Sequence, residues 1–177
     1  AGPTGVRGLS MAAGLILIGI GPGGVSGMTL AAIDAAKSAD YRRYEAYTAL
    51  WSDDDLADLE ARIGEIEKVM RPEVEDPVEL LQLAKTETVA LLVVGDPLQA
   101  TTHVDLQLQA NEAGVECTVI HGISITGLVT GSVGLSNYRF GRQTTLTYPY
   151  GGWIATSPLE VIALNRIQGL HTLALLD

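Results

Sequence analysis

The stretch LILIGIGPGG, residues 15–24, decides how the rest of the chain is read. Its first six residues are apolar without alternation and end in glycines, the pattern of a strand buried on both faces of a parallel sheet. Three further runs share the texture: TVALLVVG (88–95), ECTVIHG (116–122) and HTLALLD (171–177). Segments between them carry helix signals. Residues 28–40 open at Thr29, a residue type that caps helix N-termini. Residues 53–63 begin with three aspartates, suited to the positive end of a helix dipole. Residues 77–84 have a proline near their first turn, and residues 102–113 are closed by Gly114. Residues 41–47 and 66–70 read as further strands. Strand and helix alternate, which predicts an α/β fold with a parallel first-domain sheet and helices on both faces.

Past residue 122 the texture changes. Residues 123–134 are small and apolar, 142–148 form a threonine-rich strand candidate, 158–167 a helix, and 171–177 another buried strand. The expected organisation is a leader or tag at 1–10 with no hydrophobic period, an N-terminal α/β domain at 11–121, and the beginning of a second α/β domain at 122–177.

Composition narrows the function. The chain has 177 residues, 47% of them hydrophobic and 18% charged, with a net charge of −10. Such a chain can bury a core and is not expected to be disordered. No apolar run approaches the roughly 18 residues that a membrane span needs. Cys117 is the single cysteine, which excludes a disulfide framework or a cysteine-built zinc site and fits a reducing cytoplasm. Net negative charge argues against direct nucleic acid binding. The acidity is regional: residues 53–87 hold twelve acidic and four basic side chains, whereas residues 122–177 hold two and three. A solvated helical face, a salt-adapted surface and a GC-rich genome each account for it.

In open α/β sheets, ligands bind beyond the carboxyl ends of the strands, so three loops are candidates. Gly19, Gly21 and Gly24 formally satisfy a dinucleotide-type Gly-x-Gly-x-x-Gly pattern, but Pro22 removes an amide donor and the helix starts late; a structural glycine turn is the competing reading. In the loop 95–103, Asp96 is placed either to accept hydrogen bonds from a ligand or to cap a turn, and Thr101, Thr102 and His103 either contact a ligand or cap the next helix. In the third loop, Ser124 could cap or bind. His103, His121 and His171 lie in different units without metal-ligand spacing, so no metal is expected. No Gly-x-Ser-x-Gly elbow is present. Cys117 sits in an apolar strand pattern and reads as a core residue. Tyr41, Tyr44, Tyr47 and Trp51 could line a pocket or pack.

The segments GDPLQATTHVDL (95–106), VIHGISI (119–125), NYRFGR (137–142) and GLHTLALLD (169–177) together resemble the diphthine synthase family. That family belongs to the tetrapyrrole-methylase-like S-adenosylmethionine-dependent methyltransferases. LILIGIG, MTLAAIDAAKSAD (28–40) and YEAYTAL (44–50) extend the likeness from residue 15 to the end. The resemblance implies a two-domain fold with the second domain incomplete here, S-adenosyl-L-methionine bound in the interdomain cleft, and S-adenosyl-L-homocysteine as product. It implies N-methylation of the modified histidine of translation elongation factor 2, on the way to diphthamide, by a cytoplasmic homodimer. Carried over motif by motif, the donor contacts are Pro22, Asp96, Gln99, Ser124, Ile125 and Leu175. Relatives carry apolar non-proline residues at the positions of Pro22 and Gln99, so contacts there are expected through the backbone. The sequence nominates no catalytic residue, and the proton acceptor stays unassigned. A tetrapyrrole methyltransferase of the same fold, a fragment that no longer closes a donor site, and a nicotinamide oxidoreductase are the competing functions. A protein substrate is expected to dock near the cleft mouth, away from the acidic segment 53–87.

Overall fold

The computed structural model describes residues 12–149 and 151–176. The expected leader, residues 1–10, lies outside the described residues, as do Met11 and Asp177. The chain divides into two compact units, the first running to Ser124 and the second starting at Ile125.

In the first unit, strands β1 (Gly14–Gly19), β2 (Tyr41–Glu45), β3 (Glu67–Val69), β4 (Thr88–Val93) and β5 (Cys117–Ile120) form one sheet in the order β3-β2-β4-β1-β5. Every pairing is parallel, with Leu15 opposite both Val89 and Cys117. β1 and β4 are buried at every position, as their continuous apolar runs require.

The period of two sorts their side chains into two cores. Ile16, Ile18, Ala90 and Leu92 face α1 (Leu30–Ser38) and α2 (Asp53–Ile63), through Ala32, Ala35, Ala36, Leu56, Leu59 and Ile63. Leu15, Leu17, Val89, Leu91 and Val93 face the opposite way. They meet α3 (Arg71–Glu75), α4 (Val78–Ala84) and α5 (His103–Glu112) through Val74, Leu80, Leu81, Ala84, Leu106 and Ala110. Each fully buried Leu or Ile contributes about 1.5–3 kcal/mol relative to exposure.

Local signals set the element ends. Thr29 Oγ1 accepts from Ala32 N–H at 3.1 Å, so α1 begins at Leu30 and not at residue 28. Ser52 Oγ accepts from Asp55 N–H ahead of the three aspartates of α2. Gly114, at φ +71°, closes α5 and lets Val115 N–H bond to Ala110 O at 2.9 Å. α3 is an element that periodicity does not reveal, because five residues are too few to show a helical face. Its start is fixed by Met70 N–H donating to the Glu73 carboxylate. β2 is shorter than expected and ends at Glu45.

The second unit holds α6 (Ile125–Ser132), β6 (Thr144–Leu146), α7 (Ser157–Ile167) and β7 (Ala174–Leu176), with β6 and β7 paired in parallel. α6 begins directly after Ser124, where the sequence places a helix start, and its two glycines hide how far it runs. Asn165 on α7 joins the pieces: its side chain accepts from Arg142 N–H and donates to Arg142 O and Thr172 Oγ1. Gly141 lies against that side chain, where a Cβ would collide with it.

At the carboxyl ends of the first sheet three backbones crowd together. A Cβ on Gly19 would sit 2.5 Å from Gly122 N and 2.6 Å from Gly95 O, and one on Gly122 would meet Gly95 and Gly19. Only residues without side chains let β1, β4 and β5 end this close. Gly19→Ala is expected to destabilise the protein by about 2 kcal/mol or more through overpacking, read from urea unfolding. Gly23→Ala, which meets no atom within 4 Å, is expected to stay within about 0.5 kcal/mol of the parent.

Candidate functional site

The loops that leave β1 and β4 are tied to one another by backbone before any side chain is considered. Gly21 and Gly95 exchange two hydrogen bonds, Gly21 N–H to Gly95 O at 3.1 Å and Gly95 N–H to Gly21 O at 2.8 Å. Both take left-handed backbone, φ +80° and +74°, which glycine adopts without steric cost. After Gly21 comes a one-turn 3-10 helix, Val25–Gly27, and α1 does not start until Leu30. A dinucleotide fingerprint needs its helix N-terminus at the glycine turn to meet a pyrophosphate. This turn bonds to a neighbouring loop, which favours the structural reading of Gly19, Gly21 and Gly24.

The aromatic cluster after β2 packs and does not line a pocket at this end. Tyr44 is buried and its hydroxyl accepts from Trp51 N–H at 2.9 Å, while Trp51 Nε1 donates to Gly21 O at 3.2 Å. The indole therefore braces the glycine turn. Tyr47 carries the Arg71 guanidinium over its ring at 4.9 Å.

Asp96, 6% exposed, is the knot of the second and third loops. Its Oδ1 accepts from Leu98 N–H at 2.9 Å, forming the turn that starts the loop. Its Oδ2 lies 2.8 Å from His121 Nδ1 and accepts from Gly122 N–H at 3.1 Å. The turn-capping role is thus realised, and the same carboxylate also holds the end of β5. The link between Asp96 and His121 spans loops far apart in sequence, so spacing could not show it.

A second carboxylate–imidazole pair lies behind the first loop cluster. His103 Nε2 is 2.6 Å from Glu45 Oε2, with the side chains 3% and 2% exposed. Burial alone raises the Glu45 carboxyl, but hydrogen bonds from His103 and Thr48 and the charge of His103 outweigh it and hold the group below its ordinary range. The pair anchors the start of α5 to the end of β2, and His103 N–H donates to Thr101 Oγ1. Neither Thr101 nor His103 stands free as a ligand group.

The remaining expected site residues fall in two places. Pro22 and Gln99 are exposed on the loops after β1 and β4, and Ser124 is half-buried at the end of the loop after β5. Ile125 opens α6 and Leu175 lies in β7, both in the second unit. Cys117 is half-buried on β5, and burial pushes its thiol up to about 11, which leaves it protonated at neutral pH. His171 stacks against Phe140, with ring centroids 5.4 Å apart. Among the described residues no group of His, Cys, Asp and Glu could hold a metal ion, and no helix is long and apolar enough to cross a membrane.

Comparison with known proteins places this arrangement. Residues 14–177 match the family model of the tetrapyrrole (corrin/porphyrin) methylases. The chain belongs to that family. Among curated members, diphthine synthase of Methanoregula boonei is 39% identical over 165 residues, covering 92% of this chain and 66% of the relative. Diphthine synthase of Haloquadratum walsbyi is 40% identical over 168 residues, covering 92% and 65%. The chain thus spans just under two thirds of the length of these relatives. A crystal structure of diphthine synthase superposes with a TM-score of 0.83 at 34% identity, covering 92% of this chain and 64% of that one. A crystal structure of a putative diphthine synthase from Entamoeba histolytica gives 0.77 at 36% identity, covering 92% and 62%. The parallel sheet with helices on both faces is therefore that of this methylase family.

Glu45→Gln tests the buried pair. Removing one partner of such a pair costs about 3–5 kcal/mol near neutrality. The folded-state value of Glu45 lies below its ordinary 4.5, so its contribution is fully present above that pH and fades as pH falls through the lower folded value. Urea unfolding at stepped pH is expected to show less acid destabilisation in the variant than in the parent.

Proposed function

We propose that this chain carries the methyl-transfer site of a diphthine synthase. The reading is supported above all by the 39% identity to a curated diphthine synthase spread over 92% of the chain, which takes in every loop of the candidate site. The donor is S-adenosyl-L-methionine, which supplies an electrophilic methyl group on a sulfonium. The acceptor is the amino group of the modified histidine of translation elongation factor 2, and the enzyme works as a cytoplasmic homodimer.

The residues present fit this donor. Gly95 and Gly122 put main chain without side chains at the ends of β4 and β5, and the Asp96 turn presents the loop that carries Gln99. The side-chain amide of Gln99 and the main-chain groups of these loops suit the hydroxyl, amine and carboxylate groups of the donor. In this reading the donor contacts are Pro22, Asp96, Gln99, Ser124, Ile125 and Leu175. Pro22 acts through its carbonyl, since it has no N–H. Asp96 works mainly by setting the loop backbone, because both of its oxygens are already engaged.

Methyl transfer needs a neutral nitrogen in line with the methyl group, so positioning and water exclusion supply much of the rate. A metal or covalent nucleophile is not required. The acidic segment 53–87 is not wholly remote from these loops, because Asp55 lies beside Gly24; this reading takes the substrate approach toward β5, at the opposite edge of the sheet from β3.

Elongation factor 2 bearing the unmethylated intermediate, incubated with S-adenosylmethionine and this protein, is expected to gain mass in methyl increments, read by mass spectrometry. Methylation of an unmodified tetrapyrrole in its place would favour the other substrate class named by the family description. No donor binding by the 177-residue chain in calorimetry, beside binding by a longer one, would show that these residues do not suffice.

A further inference from the structure

We propose that His121 is the base that takes the proton from the acceptor amine, with Asp96 as the positioning residue that orients its ring. This rests on the methyltransferase reading above. An alkylamine near neutrality is mostly ammonium and has no electron pair to offer, so each transfer needs a proton acceptor at the site.

Among the described residues there are two carboxylate–imidazole pairs, and exposure separates their duties. The His103 side chain is 3% exposed and joined to a glutamate that is 2% exposed, so it can reach no substrate. His121 is 70% exposed and its partner Asp96 6% exposed. One side of the pair is fixed inside the protein and the other faces out.

Asp96 is itself held by the N–H groups of Leu98 and Gly122. An ionised carboxylate only accepts, so Nδ1 of His121 carries the proton at the 2.8 Å contact and Nε2 carries the lone pair. Among the described residues, only Nδ1 of this ring is engaged. A buried carboxylate setting the tautomer of an exposed imidazole is the arrangement that makes histidine an effective base. His121 also lies directly after β5, in the same loop as Ser124, at the end of the sheet where the donor is placed.

The step balances. The ammonium N–H bond breaks and its proton passes to Nε2, leaving the electron pair on nitrogen. That pair forms the new C–N bond to the methyl carbon of the sulfonium donor as the C–S bond breaks, its electrons going to sulfur to leave a neutral thioether. The imidazolium then releases its proton to water before the next transfer.

The full-length protein allows a direct test. His121→Asn keeps a side-chain N–H to donate to Asp96 but has no basic nitrogen. Its donor affinity by calorimetry is expected to stay within about twofold of the parent while kcat falls about 100-fold, and added imidazole is expected to restore part of the rate in His121→Ala. Nitrogen-15 NMR of the histidine rings in the donor-free protein is expected to find the His121 proton on Nδ1. A His121→Asn variant with near-parental kcat, or a proton on Nε2, overturns the proposal and leaves the methyltransferase reading standing. A parent protein that binds no donor overturns both.

Discussion

Three glycine backbones in contact, Gly19, Gly95 and Gly122, are the constraint on which the rest of the first unit depends. Strands packed by side chains keep about 4.8 Å between backbones and diverge with the twist of the sheet. With no Cβ at Gly19 and Gly122, the exits of β1, β4 and β5 converge. Gly21 and Gly95 then have the left-handed backbone needed to bond across. The loops bearing Pro22, Gln99 and Ser124 start from that convergence, so this loop cluster is set by main chain before side chains add to it.

Two polar knots secure the convergence. In one, the Asp96 carboxylate holds its own turn through Leu98 and the end of β5 through Gly122 and His121. In the other, Trp51 braces the carbonyl of Gly21, and the buried Glu45–His103 pair fixes the start of α5. The two imidazoles share one chemistry and differ in solvent access. Burial on both sides makes Glu45–His103 a fastener, since neither group can meet a solute, whereas burial on one side leaves His121 an oriented, accessible nitrogen.

Much of the architecture was legible in residue order. Continuous apolar runs at 15–20 and 88–95 imply strands covered on both faces, because an exposed face would have left polar residues at every second position. Thr29 and Gly114 mark helix ends through the hydrogen bonds that their side chain or backbone permits. Two helices were harder to read. α3 spans five residues, too few for a helical period, and α6 contains two glycines that weaken its propensity signal. The likeness to a methyltransferase family was visible in the motifs of residues 95–106 and 119–125, but the duties of individual residues were not. Asp96 could bind or cap, and Thr101 and His103 could contact a ligand or support the loop.

The sequence by itself determined the α/β class, the parallel sheet and the candidate loops at the carboxyl ends of its strands, because periodicity, caps and glycines act over neighbouring residues. Only the tertiary structure decided the strand order β3-β2-β4-β1-β5 and the partners Glu45–His103 and Asp96–His121. Those pairs join residues 58 and 25 positions apart. Which side chains meet over such separations depends on how the sheet is threaded, and that is settled by the packing of both cores together. No local pattern records it.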